Sequence, residues 1–281
     1  MKVVTGRLTI LSDNTVPGKS DLLGENGFSI YLETTDGNYL FDTGKGKAMT
    51  HNAMVCQKDL GAIKAVILSH GHADHIGGLP DVLYYHRHLP VYAHPDIFLN
   101  RYRLEADGQK KFSGNPYRKD FLEKKGARFV FSTDKKEIAP GIHLTGFVPR
   151  ETDFEGGDME NRYARKNGEI FQDLVADDQS LIINTAEGLL VILGCAHSGV
   201  LNIINHSMKI TGMDRIFAIV GGTHLGYAGT RQIEKTIEIL KNFHVQHLIP
   251  SHCTGPRVGA RLSMEFEKCF QFSHVGMSLA F

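Results

Sequence analysis

The stretch KAVILSHGHADHIGGL, residues 64–79, constrains the chain more than any other. KAVILS is a short apolar run of the kind that forms a strand buried on both faces, and it delivers His70 to the strand's C-terminal end. Ligand sites in α/β sheets gather at such ends. His70, His72, Asp74 and His75 then fall within six positions. His70 and His72 are a close pair in extended backbone, and Asp74 and His75 follow where a helix should begin. Neutral imidazole and carboxylate suit zinc and related divalent ions, and ligands close in sequence let one loop fix their angles. Two of the four side chains can face one ion and two its neighbour, so the spacing makes a dinuclear site feasible. A chance polar loop is the weaker reading of so dense a cluster.

The frame around this loop reads as an ordinary globular protein. At 281 residues the chain can bury a substantial core, and one domain over 1–281 is expected rather than two small ones. Hydrophobic residues make up 42% and charged residues 22%, which fits an α/β or α+β protein and excludes general disorder. Lys+Arg and Asp+Glu balance at 31 each, so no global field draws nucleic acid or an anionic membrane. The start, MKVVTGRLTILSDNT, alternates like a strand and lacks a signal peptide's apolar centre; nowhere do about 18 apolar residues run together. A cytoplasmic protein without a membrane partner is expected. Cys56, Cys195, Cys253 and Cys269 form no C-x-x-C pair, in keeping with a reducing compartment and buried thiols. Cys195 and Cys253 lie within two residues of His197 and His252, so contact of either with a metal stays open.

Along the chain, FSIYLETTDGNYLFDTG predicts a hairpin around Asp36-Gly37. AMTHNAMVCQKDLG predicts a helix ended by Gly61, and HIGGLPDVLYYH a further helix. LPVYAHP reads as a strand. Residues 101–128 carry nine Lys/Arg against four Asp/Glu, either as a solvated helical face or as a cover for an anionic substrate. Tyr102, Phe112, Tyr117 and Phe121 in this segment read as hydrophobic anchors, with stacking on a ring of the substrate as the alternative. Residues 149–178 are polar with no periodic core pattern and read as a long active-site loop; a cover or insert is expected around 100–170. QSLIINTAEGLLVILG predicts two strands around Glu187-Gly188, DRIFAIVGGTHLG another strand, and VQHLIPSHCTG a last strand ending in His252. Thr230 is the expected N-cap of the helix RQIEKTIEILKNF.

H-G-H-A-D-H at 70–75 resembles the H-x-H-x-D-H signature of the metallo-β-lactamase superfamily. YLFDTG with Asp42 resembles its early aspartate motif, and IPSHCTG with His252 its late histidine motif. GCAHSG with His197 and GGTHLG with His224 resemble the forms in the 7,8-dihydropterin-6-methyl-4-(β-D-ribofuranosyl)aminobenzene-5'-phosphate synthase subfamily. The resemblance implies a four-layer αββα sandwich of two similar halves with two divalent metal ions in the cleft between the sheet edges. It implies His70 and His72 with a third histidine on one ion, Asp74, His75 and His252 on the other, and Asp42 orienting the loop. Many relatives carry the third histidine in a P-G-H turn and a bridging aspartate in a later G-D turn. Here GFVPRETDFEG has no histidine and GCAHSG no aspartate. His197 is therefore the candidate for the missing ligand, against a structural histidine capping the helix VLNIINH. Asp178 is a candidate carboxylate for the bridge or its surroundings, and equally a solvated loop acid. His72 stands where di-iron relatives have glutamate, which favours zinc, with manganese or iron as alternatives.

A zinc pair lowers the pKa of bound water and polarises an oxygen of phosphate or carbonyl. The leading expectation is a dinuclear metalloenzyme acting on a phosphorylated or diphosphate small molecule. The resemblance implies dihydropterin transfer to a ribofuranosylaminobenzene phosphate acceptor with release of diphosphate. Asp74 and His224 are the candidates for catalysis, and Arg150 and His224 for contact with substrate; His224 follows two glycines that admit a ligand to the backbone. The alternative is a phosphodiesterase, nuclease or ester or lactone hydrolase using metal-bound hydroxide. A nuclease would need a continuous basic groove, which nothing in the sequence shows. A binding module without turnover is the third reading, and the intact signature argues against it. The sequence carries no signal for oligomeric state.

Overall fold

FSIYLETTDGNYLF folds as two antiparallel strands, β2 (Ser29–Thr34) and β3 (Gly37–Phe41), whose inward and outward residues alternate as the pattern requires. The two-residue loop is Thr35-Asp36, one position earlier than expected, because Gly37 takes a φ of +138° and already pairs with Thr34. The computed structural model describes residues 2–105, 107–156 and 161–281.

Among the described residues, the strands form three sheets. The first joins β17 (Ser278–Ala280), β1 (Gly6–Ser12), β2, β3, β4 (Ile63–Ile67), β5 (Leu89–Ala93) and β8 (Ala127–Phe131), in that order. The second joins β16 (His247–Ser251), β15 (Ile216–Gly222), β14 (Gly188–Leu193), β13 (Leu181–Thr185), β10 (Ile142–Leu144) and β9 (Lys136–Ala139). In each, an antiparallel hairpin leads into parallel strands: β2-β3 into β4 and β5, and β13-β14 into β15 and β16.

The two sheets pack face to face. Leu8, Ile10, Ile30, Leu32 and Ile67 meet Leu181, Ile183, Leu190, Ile192 and Val220 in one core. Tyr31, Leu40, Val66 and Leu68 on the outer face of the first sheet pack against α1 (Met49–Val55), α2 (Ala73–Ile76), α3 (Leu79–Leu83) and α4 (Lys119–Lys124). Ile182, Val191 and Ile219 on the outer face of the second pack against α5 (Val200–Thr211) and α6 (Thr230–Leu240), with α7 (Gly255–Glu265) beside α6. The architecture is the expected αββα sandwich. β4 contributes Ala65 and Ile67 to one core and Val66 to the other, which is why KAVILS is apolar on both faces.

Several local expectations are corrected. α1 stops at Val55 because Gln57 turns left-handed, and only a single turn, Leu60–Ala62, follows. HIGGLPDVLYYH is two short helices, α2 and α3, parted by Gly77-Gly78, where a Cβ would strike the carbonyls of Lys45 and Thr43. Gly229, in extended backbone, occupies the N-cap of α6, and Thr230 is its first helical residue. Residues 101–128 are not one helical face: they hold β6 (Asn100–Leu104), β7 (Lys110–Phe112) and the short α4. The stretch 149–178 is not all loop, since it contains the hairpin β11 (Arg162–Lys166) and β12 (Glu169–Gln172). The third sheet, β12-β11-β6-β7, thus draws on both polar segments, while β8, β9 and β10 between them belong to the main sheets. No helix among the described residues is long and apolar enough to cross a membrane.

Candidate metal centre

Five parallel strands end on one edge of the sandwich, and each hands the next loop a polar or sulfur-bearing side chain. β3 runs into Asp42, β4 into Ser69 and His70, β14 into Cys195 and His197, β15 into His224, and β16 into His252. Asp42, Ala196, His224 and His252 all have positive φ, between 47° and 57°, so the chain turns sharply as it leaves four of these strands. Such conformations in residues other than glycine concentrate where function demands them.

Two groups of potential ligands result. In His70, His72 and His197 one ligating atom from each lies within 4.8 Å of the others, and the same holds for Asp74, His75 and His252. Each group draws on both halves of the sandwich. All of these histidines are buried, and Asp74 is partly so. Nε2 of His70 and Nε2 of His197 have no hydrogen-bond partner among the described residues. Buried polar atoms are nearly always satisfied, and leaving one orphaned costs about 1–3 kcal/mol. Two such nitrogens converging with His72 fit a cation, which satisfies lone pairs that no donor reaches.

The surroundings fix these rings. Asp42, fully buried, accepts from Ser69 N at 2.7 Å and Ser69 Oγ at 2.6 Å, and its Oδ2 lies 2.6 Å from His75 Nδ1. Ser69 Oγ also sits 2.8 Å from His70 Nδ1, so one carboxylate orients two imidazoles. Asn14 Oδ1 lies 2.8 Å from His252 Nδ1, which leaves His252 Nε2 facing Asp74 Oδ2 at 3.5 Å. Burial, then the neighbouring imidazoles and guanidinium groups, hold His70, His72 and His197 well below the usual histidine range, hence neutral and able to ligate. For His75 burial acts downward, but the Asp42 carboxylate outweighs it and raises the ring to about 9. Burial likewise pushes Asp74 up, yet His252, His75 and His72 together hold it below the usual carboxylate range.

A cavity of about 270 Å³ opens over these groups, lined by His72, Asp74, Cys195, His197, His224, His252 and Cys253. Lys45, Arg103, Lys111 and Arg162 supply four cations to its walls, against Glu105 and Asp74. Phe112 and Tyr227 line it as well, and Arg103 lies over the Tyr227 ring at 5.6 Å.

The family whose profile matches, over residues 22–164, is described as the metallo-beta-lactamase superfamily. A 7,8-dihydropterin-6-methyl-4-(beta-D-ribofuranosyl)-aminobenzene-5'-phosphate synthase of Methanocaldococcus jannaschii is 30% identical over 288 residues, covering 100% of this chain and 98% of its own. The chain belongs to the metallo-β-lactamase superfamily. Within that superfamily it is also similar to the solved structure of Tm1679, a metal-dependent hydrolase, with a TM-score of 0.83 and 29% identity over 98% of both chains. Zinc-bound PqqB of Methylobacterium extorquens shares the fold, with a TM-score of 0.54 and 16% identity over 97% of this chain and 99% of that one. Divalent-metal binding is what this fold implies, and the His/Cys cluster contains groups that could hold an ion.

For this member of the superfamily, His70, His72, Asp74, His75, His197 and His252 come together as described, and His224 joins them, its ring 4.3 Å from that of His197. His197 does not cap α5, whose first N–H groups are met by Glu155 instead. Asp178 stays outside both groups: Oδ2 accepts from Ser198 N at 2.9 Å, and burial raises its carboxyl to about 6. It braces the His197 loop through Ser198 N, while its buried Oδ1 has no hydrogen-bond partner among the described residues. Arg150 is corrected too. Its guanidinium donates to the carbonyls of Leu174 and His197 and does not line the cavity. The cations that do include Arg103 and Lys111 from the basic segment and Arg162, which the sequence reading missed. Arg162 Nη1 lies 3.3 Å from His72 Nε2 and Nη2 3.5 Å from His224 Nε2. Also missed were Arg101, Asp173 and Asp177. Arg101, 1% exposed, pairs with Asp177 at 2.5 and 3.0 Å and with Asp173 at 2.8 Å, while Asp177 Oδ2 accepts from Gly71 N at 2.8 Å. This buried network ties the third sheet to the backbone between His70 and His72. Polarity alone in residues 149–178 hinted at it.

Proposed function

We propose that the chain is a dinuclear metal-dependent enzyme acting on a diphosphate or phosphorylated small molecule. Its reaction is transfer of a dihydropterin, through its 6-methylene carbon, to the amine of a ribofuranosylaminobenzene phosphate, with release of diphosphate. The observation that carries this reading is the identity to the archaeal synthase, which runs the full length of both chains. The cationic walls of the cavity support it, because four Lys/Arg at one mouth suit the oxygens of phosphates.

His70, His72 and His197 would hold one ion, and Asp74, His75 and His252 the other, with zinc the preferred metal for this donor set. Divalent ions supply Lewis acidity toward a phosphate oxygen. The protein's own part is to bind and orient. Lys45, Arg103 and Lys111 receive phosphate oxygens, Arg162 adds positive charge beside His72, and Phe112 and Tyr227 offer faces to the flat rings. In the transfer, the arylamine nitrogen bonds to the methylene carbon while the carbon–oxygen bond to diphosphate breaks. The amine then sheds a proton, which His224 at the cavity wall is placed to accept.

A second reading, hydrolysis of the diphosphate by water, is favoured by the similarity to the metal-dependent hydrolase. Metal-loaded protein given the pterin-methyl diphosphate with and without the arylamine phosphate separates them. Diphosphate release that requires the acceptor and yields the coupled product is expected. Release at the same rate without acceptor would establish the hydrolase, and no release in either case would contradict both.

A further inference from the structure

We infer that Glu105 sets the specificity of the cavity for the dihydropterin ring: its carboxylate accepts hydrogen bonds from the amino group and ring N–H at the pyrimidine edge. This rests on the pterin-transfer reading above and deepens it. The third sheet supplies the groups concerned. Arg162 of β11 stands directly opposite Arg103 of β6, and Arg103 directly opposite Lys111 of β7, so three cations form one row across three strands. All three line the cavity. Like charges directly opposite one another destabilise a sheet, so such a row suits an extended anion better than an empty wall. Arg162 Nη1, 3.3 Å from His72 Nε2, places one end of the row beside the proposed ions.

Glu105 interrupts this positive wall. It lies two positions beyond Arg103, about 7 Å further along the strand direction and on the same side. Its backbone N–H donates to the Gln109 carbonyl at 2.9 Å, which carries the β6-β7 pairing one step past the strand end. The side chain is half-buried and lines the cavity. Among the described residues its carboxylate has no hydrogen-bond or ion-pair partner, although Arg103 and Lys111 share the wall. A carboxylate that only balanced those cations would be expected to close on one of them. The other carboxylate and amide oxygens of the wall are engaged: Asp74 belongs to an ion group, and Asn26 Oδ1 accepts from Asn14 Nδ2 at 3.3 Å. Lysine and arginine offer donors alone, so they cannot read an edge that itself consists of donors. The pyrimidine edge of a pterin presents an amino group and a ring N–H side by side, which the two oxygens of one carboxylate meet in parallel. The arylamine phosphate has no such edge; its amine must face the methylene carbon beside the diphosphate, and its ribose hydroxyls are met equally well by the cations.

Calorimetric titration of the zinc-loaded protein with dihydropterin-6-methyl diphosphate, its analogue lacking the 2-amino group, and inorganic diphosphate tests this. The unaltered protein is expected to bind the pterin diphosphate about tenfold or more tighter than the analogue, the effect of a hydrogen bond to a charged group. In Glu105→Ala the two should bind alike. Inorganic diphosphate should bind that variant as tightly as before or tighter, because only negative charge has left the wall, and this binding also shows that the cavity is intact. Equal binding of the two pterin ligands by the unaltered protein, or a preference that survives Glu105→Ala, would overturn the inference and leave the transfer reading intact. A uniform loss of affinity for all three ligands in Glu105→Ala would overturn it as well, making Glu105 a support of the third sheet. Unaltered protein that binds both pterin ligands no better than inorganic diphosphate would overturn the transfer reading and the role of Glu105 together.

Discussion

Asp42 shows how much one residue does here. Its left-handed backbone turns the chain off β3, and its buried carboxylate ties Ser69 and His75 into one arrangement. Asp42→Ala is expected to weaken metal binding by about 10- to 100-fold, the usual effect of losing a partner that orients a ligand. Competition against a chromophoric chelator measures it, and unchanged affinity would show that the loop holds its shape unaided. Arg162 belongs to the cavity wall, so Arg162→Ala should raise KM for the phosphorylated substrate by about tenfold or more while metal content stays the same. A loss of metal with no change in KM would assign it to His72 alone. The candidate ligands of the first loop stood out in the sequence because four donors sit within six positions of one strand end. His197 was legible only as the replacement for a histidine missing elsewhere. Arg101, Asp173, Asp177 and Arg162 were not legible, because their partners lie 72 to 106 residues away and no local pattern records such pairs.

At the scale of elements, α5 illustrates a cap supplied from a distance. Gly199 precedes it with a φ of +98°, and Glu155 Oε1 and Oε2 accept from Leu201 N at 2.9 Å and Asn202 N at 3.0 Å. A carboxylate there satisfies two free N–H groups and complements the helix dipole. Glu155→Ala should destabilise the protein by about 1–2 kcal/mol, read from urea unfolding midpoints at constant slope. No change would mean that water replaces the carboxylate at no cost. The third sheet hangs on a stiffer contact. Asp177→Ala leaves the Arg101 guanidinium buried beside Asp173 alone and Gly71 N without its acceptor, and should cost about 3–5 kcal/mol in the same measurement. Strands buried on both faces, such as β2 and β4, announced themselves through apolar pattern. The third sheet did not, since every residue of β7 and β12 is exposed and no alternation distinguishes them from loop.

At the scale of the whole molecule, the two proposed ion sites are cross-links. Each triad takes ligands from the first half of the chain, before residue 76, and from the second half, beyond residue 196. Metal bound to the folded state alone at about 100 times its dissociation constant adds about 2.7 kcal/mol, which for a chain of this size is several degrees in Tm. Chelation should lower Tm by that order and readdition of zinc restore it. The balanced charge of the chain sets no long-range field, so capture of the proposed substrate would fall to the local cations of the cavity.

In the proposed dinuclear centre, imidazoles and carboxylate from both halves enclose two cations at the strand ends. Diffraction from crystals of the zinc-loaded protein, recorded on either side of the zinc absorption edge, tests it most directly. Two anomalous peaks are expected, one among His70, His72 and His197 and one among Asp74, His75 and His252. A single peak would contradict the dinuclear reading, and peaks only at other positions would contradict the site itself.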